Sequence, residues 1–232
     1  MIYVTSDLHG YPLEKFKTLL DSTGFSNKDI LYVLGDVIDR GNDGIKILKW
    51  LMVQPNAGLI LGNHESMLLA NDFLFEEITE DAISRLNGSK LDMYITWLSN
   101  GGQPTVNALS AIRNSEIRYI LEYLYDAPLY EAVTVNGKDF ILTHSGLGHF
   151  SPDKKLNEYS PNELLWNRPK ITDRYFDDGI ITVFGHTPTA YYDEKYMGKI
   201  LKTDTWIDID IGVGSGIDPV ILRLDDMKEF YL

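Results

Sequence analysis

Apolar and polar positions change period several times along the first 61 residues. Ile2-Tyr3-Val4, Ile30–Leu34 and Leu59–Leu61 are short apolar runs of strand length, while the segments between them carry apolar residues at helical spacing. A helix beginning near Pro12, with proline in its first turn, would turn Leu13, Phe16, Leu19 and Leu20 to one face and stop at Gly24. A second follows Asp39-Arg40-Gly41, with Ile45, Leu48, Leu51 and Met52 inward and Pro55 beyond its end. Strand, helix, strand, helix, strand predicts a parallel βαβαβ unit.

Residues 66–127 read as consecutive helices. The best defined has Ser115 as cap, Ile117, Ile120, Leu121 and Leu124 on one face, and a stop before Pro128. Trp97, Tyr119 and Tyr123 read as packing residues of this insertion, and Glu76, Glu77, Glu80 and Asp81 as a solvated helix face. From residue 130 strands return. Glu131–Val135, Asn136-Gly137 and Lys138–Leu142 predict a hairpin with a type I′ turn. Trp206–Ile211 alternates apolar and acidic residues and Pro219–Leu224 adds a strand, so the second half is expected to build another, mixed sheet. A chain of 232 residues with 44% hydrophobic content, no solenoid repeat and no low-complexity linker is expected to form one domain, 1–232, with the helical insertion at about 66–127.

Composition narrows the chemistry. There are no cysteines, which removes disulfides, thiolate ligands and cysteine nucleophiles, so any metal must be held by nitrogen and oxygen. A formal charge of −13 argues against salt-driven binding to nucleic acid or anionic membranes. No stretch approaches the roughly 20 apolar residues of a membrane span. With Asp7 already a candidate ligand, no cleavable signal is expected, and the chain is expected to be cytoplasmic.

Each apolar run leads into a polar motif. Ser6-Asp7-Leu8-His9-Gly10, Gly35-Asp36-Val37-Ile38-Asp39-Arg40-Gly41, Gly62-Asn63-His64-Glu65, Thr143-His144-Ser145-Gly146 and Gly185-His186-Thr187-Pro188 follow the three early runs, Phe140–Leu142 and Ile181–Phe184. Open α/β sheets collect their chemistry outside the carboxyl ends of their strands. Asp7 and His9 can converge on one cation, Asp36 can bridge it to a second, and Asn63, His144 and His186 would complete the second cation's ligand set. A mixed nitrogen and oxygen set suits Mn²⁺, Fe or Zn²⁺ better than Ca²⁺. Two cations about 3.5–4 Å apart can hold a water, lower its pKa and align it for in-line attack on phosphorus. Singly, each motif has a plain structural reading: an Asp-x-His loop, a turn capped by His186, an Arg40 paired with Asp39. Five such motifs in order at strand ends leave those readings little room. His149 is expected to be an ordinary loop histidine.

This ordered set resembles the calcineurin-like metallophosphoesterases, and its Asp39-Arg40-Gly41 and Asn63-His64-Glu65 elements resemble their phosphoprotein phosphatase branch. Trp97…Gly101-Gly102…Thr105 and Leu165-Trp166-Asn167-Arg168 are further similar to bacterial and phage Ser/Thr phosphatases, the likeness covering about residues 1–190. The resemblance implies an α/β/β/α sandwich of two mixed sheets flanked by helices. It implies Asp7, His9 and Asp36 on one metal and Asp36, Asn63, His144 and His186 on the other, with Mn²⁺ preferred over Fe or Zn²⁺. His64 is then the general acid, Asp39 holds its ring, and Arg40, Arg168 and Asn63 meet the phosphoryl group. Ile207–Gly216, rich in Asp and Gly, stands where eukaryotic members carry Ser-Ala-Pro-Asn-Tyr, so no regulatory subunit is implied. The leading expectation is a Ser/Thr phosphoprotein phosphatase acting on a phosphoprotein or a small phosphorylated substrate. Its rivals are a symmetrical diadenosine tetraphosphatase or other nucleotide phosphohydrolase, and a non-catalytic metal-binding scaffold.

Overall fold

The computed structural model describes residues 1–75 and 87–232. The acidic segment Glu76, Glu77, Glu80 and Asp81 lies outside the described residues. Two five-stranded sheets pack face to face. In the first, β1 (Ile2–Thr5), β2 (Ile30–Val33) and β3 (Ala57–Leu59) run parallel, as the alternation of periods predicts. In the second, β4 (Tyr130–Val135) and β5 (Lys138–Thr143) form the hairpin, and β6 (Ile181–Phe184) lies parallel to β5 and to β8 (Trp206–Asp208). Asn136 and Gly137 hold φ of 52° and 77°, the left-handed pair that a type I′ turn demands. β7 (Leu201–Lys202) closes the far edge of that sheet.

One topological expectation is corrected. The segment after Pro219 forms β9 (Val220–Arg223), which leaves the second sheet and pairs antiparallel with β1, and β10 (Lys228–Tyr231) pairs with β9 at that sheet's edge. The order is therefore β10-β9-β1-β2-β3 in one sheet and β4-β5-β6-β8-β7 in the other. Burial explains the return. Val220 and Leu222 face the layer between the sheets with Val4, Leu34, Val183 and Ile207, while Ile221 joins the opposite face of the first sheet. Alternate residues of β9 so fill two cores, each fully buried aliphatic side chain contributing about 1.5–3 kcal/mol.

Helices cover both outer faces. α1 (Leu13–Ser22) and α2 (Gly44–Leu51) set Phe16, Leu19, Ile47 and Leu48 against Tyr3, Leu31 and Val33. α3 (Asn63–Ala70), α4 (Gly88–Ser99), α5 (Gln103–Ser110) and α6 (Asn114–Tyr125) extend the same layer through Leu68, Trp97, Leu109 and Ile120. On the second sheet, α7 (Pro161–Leu165) packs Leu164 with Phe184 and Trp206. This is the α/β/β/α sandwich.

Two helix starts differ from the sequence expectation. Pro12 caps α1 instead of entering its first turn, and the Asp43 carboxylate accepts the Leu13 N–H at 3.1 Å in its place. Arg113, not Ser115, caps α6, because the first helical hydrogen bonds run from Glu116 and Ile117 to the Arg113 carbonyl. Tyr119, expected to pack, is 65% exposed, whereas Tyr123 is partly buried against the core. Among the described residues no helix is long and apolar enough to cross a membrane.

Candidate metal centre

All five polar motifs meet at one rim, where β1, β2, β3, β5 and β6 end. The loops are laced to one another before any side chain is considered: Asp7 N–H donates to the Gly35 carbonyl at 3.0 Å, His9 N–H to Asp36 at 2.8 Å, and Gly185 N–H to His144 at 2.8 Å. Close approach at this seam requires glycine. A Cβ on Gly62 would lie 2.3 Å from the Asp36 backbone nitrogen, and one on Gly185 would lie 2.1 Å from Asp7 Oδ2. Asp7, His9, Asp36, Asp39, Arg40 and His186 all adopt positive φ, between 42° and 70°. Such conformations each cost on the order of 1–3 kcal/mol and collect at functional sites, so the surrounding hydrogen bonds must hold them.

Glu65 supplies much of that hold. Fully buried, it accepts four backbone N–H groups: Asp36 at 2.8 Å and Gly62 at 3.1 Å on Oε2, Val37 at 2.8 Å and Ile38 at 3.2 Å on Oε1. The third residue of Asn63-His64-Glu65 thus shapes the Asp36 loop from below. In the sequence Glu65 stands out only as part of a motif; its position three residues into a helix, after a glycine, is the signal that could have identified it as a backbone binder.

Asp36 sits at the middle. Its Oδ1 accepts the His64 N–H at 3.0 Å and lies 3.4 Å from His144 Nε2; its Oδ2 lies 3.8 Å from both His9 Nε2 and His64 Nε2. Two trios, His9–Asp36–His64 and Asp36–His144–His186, each offer ligand atoms within 4.8 Å of one another, and Asp36 is common to both. Asn63 Oδ1 lies 2.8 Å from His144 Nε2 and 2.8 Å from His186 Nδ1. Asp7 joins the cluster from β1, with Oδ2 accepting the His186 N–H at 2.9 Å and Oδ1 4.0 Å from His9 Nε2.

The donor set fits divalent cations. Asp7 Oδ1 and His186 Nε2 are buried and meet no hydrogen-bond partner among the described residues. Leaving such atoms unpaired costs about 1–3 kcal/mol each, which a cation would offset. Burial pushes the His9 imidazole down to about 3 and the His186 imidazole down to about 2, and lowers His144 as well. All three are therefore neutral and carry the lone pairs that metal ligation requires. Burial, with Asp210 and Asp36 nearby, raises the Asp7 carboxyl well above its ordinary value. A positive ion in the cluster would reverse that.

His64 is placed differently from the other histidines. Its Nδ1 lies 2.6 Å from Asp39 Oδ2 and its Nε2 3.3 Å from Arg40 Nη2. Burial works against its charged form, but the Asp36 charge and the Asp39 hydrogen bond outweigh it and hold the imidazole above its usual value. His64 stands inside the first trio, but the Arg40 guanidinium at its Nε2 is poor company for a metal cation on that atom, while Asp36 and Asp39 favour the protonated ring.

Asp39 in turn is tied to the helical insertion. Trp97 Nε1 donates to Oδ2 at 2.8 Å and Thr105 Oγ1 to Oδ1 at 2.6 Å, while the Asp39 N–H donates to Thr105 Oγ1 at 3.0 Å. Trp97 is thus more than a packing residue. Arg40 N–H donates to the Gly101 carbonyl at 2.9 Å. On the other flank Arg168 Nη1 donates to Thr187 Oγ1 at 3.2 Å and to the His186 carbonyl at 3.4 Å, and the Trp166 ring, 41% exposed, stands 6.2 Å from the His186 ring. Asp208 and Asp210, buried beyond β6, were not foreseen from the alternating Trp206–Ile211 run; burial raises both, Asp210 to about 7. His149 lies away from the cluster, with its ring 3.2 Å from Glu163 on an exposed loop.

The chain is similar to known proteins in sequence and in fold. The family model described as calcineurin-like phosphoesterase matches residues 1–210. A curated relative, the symmetrical bis(5'-nucleosyl)-tetraphosphatase of Wigglesworthia glossinidia brevipalpis, is 38% identical over 100 residues, 41% of this chain and 36% of that protein. The match therefore spans little more than a third of the relative's length. Among solved structures, a candidate diadenosine tetraphosphatase superposes with TM-score 0.66 at 16% identity, covering 100% of this chain and 92% of that one. A Saccharomyces cerevisiae protein serine/threonine phosphatase does so with TM-score 0.57 at 15% identity, covering 100% and 79%. At such identities these two share the fold. The family match over most of the chain, on a fold and a residue cluster of this kind, establishes that the chain belongs to the calcineurin-like phosphoesterases.

Proposed function

We propose that the chain hydrolyses a nucleoside polyphosphate, with a dinucleoside tetraphosphate as the leading substrate, in place of the phosphoprotein that the motifs alone put first. Family membership makes it a metallophosphoesterase with a dinuclear divalent metal site and a phosphoester substrate. The observation that carries the finer reading is the 100-residue match, at 38% identity, to a protein named as a symmetrical bis(5'-nucleosyl)-tetraphosphatase. The exposed Trp166 ring beside His186 supports it, because it offers an aromatic face on which a base can stack. Asp7, His9 and Asp36 would hold one cation and Asp36, Asn63, His144 and His186 the other, a mixed nitrogen and oxygen set that accommodates Mn²⁺, Fe or Zn²⁺, with Mn²⁺ put first by the family resemblance. Cations bound there supply Lewis acidity and lower the pKa of a water for attack on phosphorus.

The chain's own residues do the rest. Arg40 and Arg168, on opposite flanks, grip phosphoryl oxygens through planar forks that Lys would not reproduce. Asp39 fixes the His64 ring by accepting from Nδ1, which leaves Nε2 to give its proton to the departing oxygen. Arg40 Nη2 and that proton compete for Nε2. Phosphoryl oxygens that draw the guanidinium toward themselves free Nε2 for the proton.

The phosphoprotein reading is kept as second because Trp166-Asn167-Arg168 resembles the bacterial and phage phosphatases. A scaffold without chemistry would be expected to lack site residues, and every one named above is present. The deciding experiment compares diadenosine tetraphosphate, a phosphothreonine peptide and a phosphotyrosine peptide on the Mn²⁺-loaded protein. The dinucleotide is expected to give the highest kcat/KM. A phosphothreonine peptide ahead of it would restore the phosphatase reading, and no turnover of these or of an aryl phosphate would defeat the enzyme reading.

A further inference from the structure

Arg40 has left-handed backbone, φ of 64°, and a glycine presses on it from each of two distant loops. From the α4–α5 turn, Gly101 accepts the Arg40 N–H, and a Cβ on it would lie 2.8 Å from Arg40 Cγ. From the loop after β8, a Cβ on Gly214 would lie 2.3 Å from Arg40 Nη1, 3.2 Å from Arg40 Cδ and 2.9 Å from His9 Cδ2.

The reason for glycine differs along that loop. Gly212 and Gly216 hold φ of 102° and 93°, where a side chain is strained whatever the space. Gly214 has no left-handed φ, so its backbone accepts alanine, and the atoms nearest a side chain there belong to Arg40 and the His9 ring. The loop is tied on both sides of Gly214: Gly212 N–H donates to Asp210 Oδ1 at 3.0 Å, and six residues after Gly212 the Asp218 carboxylate accepts the Tyr11 hydroxyl at 2.6 Å.

We infer that Gly214 is a positioning residue: its bare backbone is the wall that holds the Arg40 guanidinium over His64 Nε2 and directs it at a phosphoryl group. This rests on the phosphate-gripping role proposed for Arg40. A methyl group there meets the far end of the flexible Arg40 side chain first and the edge of the His9 ring second, so the guanidinium swings away and loses its aim while the ring yields by a smaller amount.

The test is calorimetric binding of inorganic phosphate to the Mn²⁺-loaded protein and its Gly214→Ala, Arg40→Ala and double variants, with bound Mn²⁺ and Tm measured on each. Arg40→Lys stands in if Arg40→Ala does not fold. Gly214→Ala is expected to weaken phosphate by roughly tenfold, the scale of one lost charged hydrogen bond, with Tm and metal content unchanged. In the Arg40→Ala background it is expected to add nothing. Weakening by Arg40→Ala but not by Gly214→Ala overturns the inference alone. An effect of Gly214→Ala that persists without Arg40, or loss of Mn²⁺, assigns the glycine to His9 and overturns it too. Unchanged phosphate affinity in Arg40→Ala removes the role of Arg40 itself, and the inference with it.

Discussion

The Trp97 indole donates to Asp39 Oδ2 at 2.8 Å, across 58 positions of sequence, and the same oxygen lies 2.6 Å from His64 Nδ1. The helical insertion is thereby joined to the site through one carboxylate. Asp39 is fully buried, and each of its oxygens is occupied by a donor that only the fold brings to it.

Trp97→Phe keeps the ring in its buried place and removes one donor from Asp39. The carboxylate is left short of a partner, which costs about 1–3 kcal/mol in stability. Activity is expected to fall about tenfold through a less well held His64. Tm and kcat on one preparation check both, and an unchanged kcat would return Trp97 to packing.

His64→Asn is expected to lower kcat by roughly 10²–10⁴, the usual range for a positioned acid, with metal content intact. Metal analysis beside steady-state kinetics decides it. Loss of bound metal in that variant would make His64 a ligand, as its place in the first trio allows.

Removal of Asp36, the residue common to both trios, is expected to empty both metal positions, whereas His186→Ala should spare the one built on Asp7 and His9. The expected stoichiometries of bound Mn²⁺ are about two per chain, falling to about zero and about one. Equal losses in the two variants would contradict the bridging assignment.

Glu65→Gln exchanges an acceptor for an amide that must turn its own N–H groups toward some of four backbone donors. The expected loss is about 3 kcal/mol, with weakened Mn²⁺ binding because the Asp36 loop is what the carboxylate shapes. Denaturant unfolding and metal titration measure the two, and a variant as stable as the parent would show that the loop holds itself.

Asp43 links two elements, accepting the Leu13 N–H at 3.1 Å and the Lys46 ammonium at 2.6 Å. Partial burial works against its charge, but these partners outweigh it and hold the carboxyl below its ordinary 3.8. A depressed folded value means the stabilisation is present above pH 3.8 and is lost as pH falls through the folded value. Asp43→Ala should lower stability by about 1 kcal/mol at pH 7, and the gap to the parent should narrow below pH 3.8. A gap independent of pH would mean that the carboxylate's charge contributes nothing.

Much of this molecule was legible along the chain. Short continuous apolar runs followed by Asp, Asn or His mark strand ends as the place of the chemistry, because a parallel strand must hand its chain to a loop at its carboxyl end. The helical periods around Phe16, Leu48 and Ile120 likewise name the faces that the core buries. Other features were not legible. The return of Val220–Arg223 to β1 depends on which of two cores its alternate residues fill, and a strand of that composition suits either sheet.

What the sequence determined by itself was local: which residues can bind or move a proton, and on which elements they ride. Partnership was decided by the tertiary structure alone. Trp97 and Thr105 around Asp39, the four backbone donors around Glu65, and Gly101 and Gly214 against Arg40 are contacts between segments far apart in the chain. No local pattern encodes such contacts, because a hydrogen bond or a space left by a missing side chain exists only once both surfaces have been brought together.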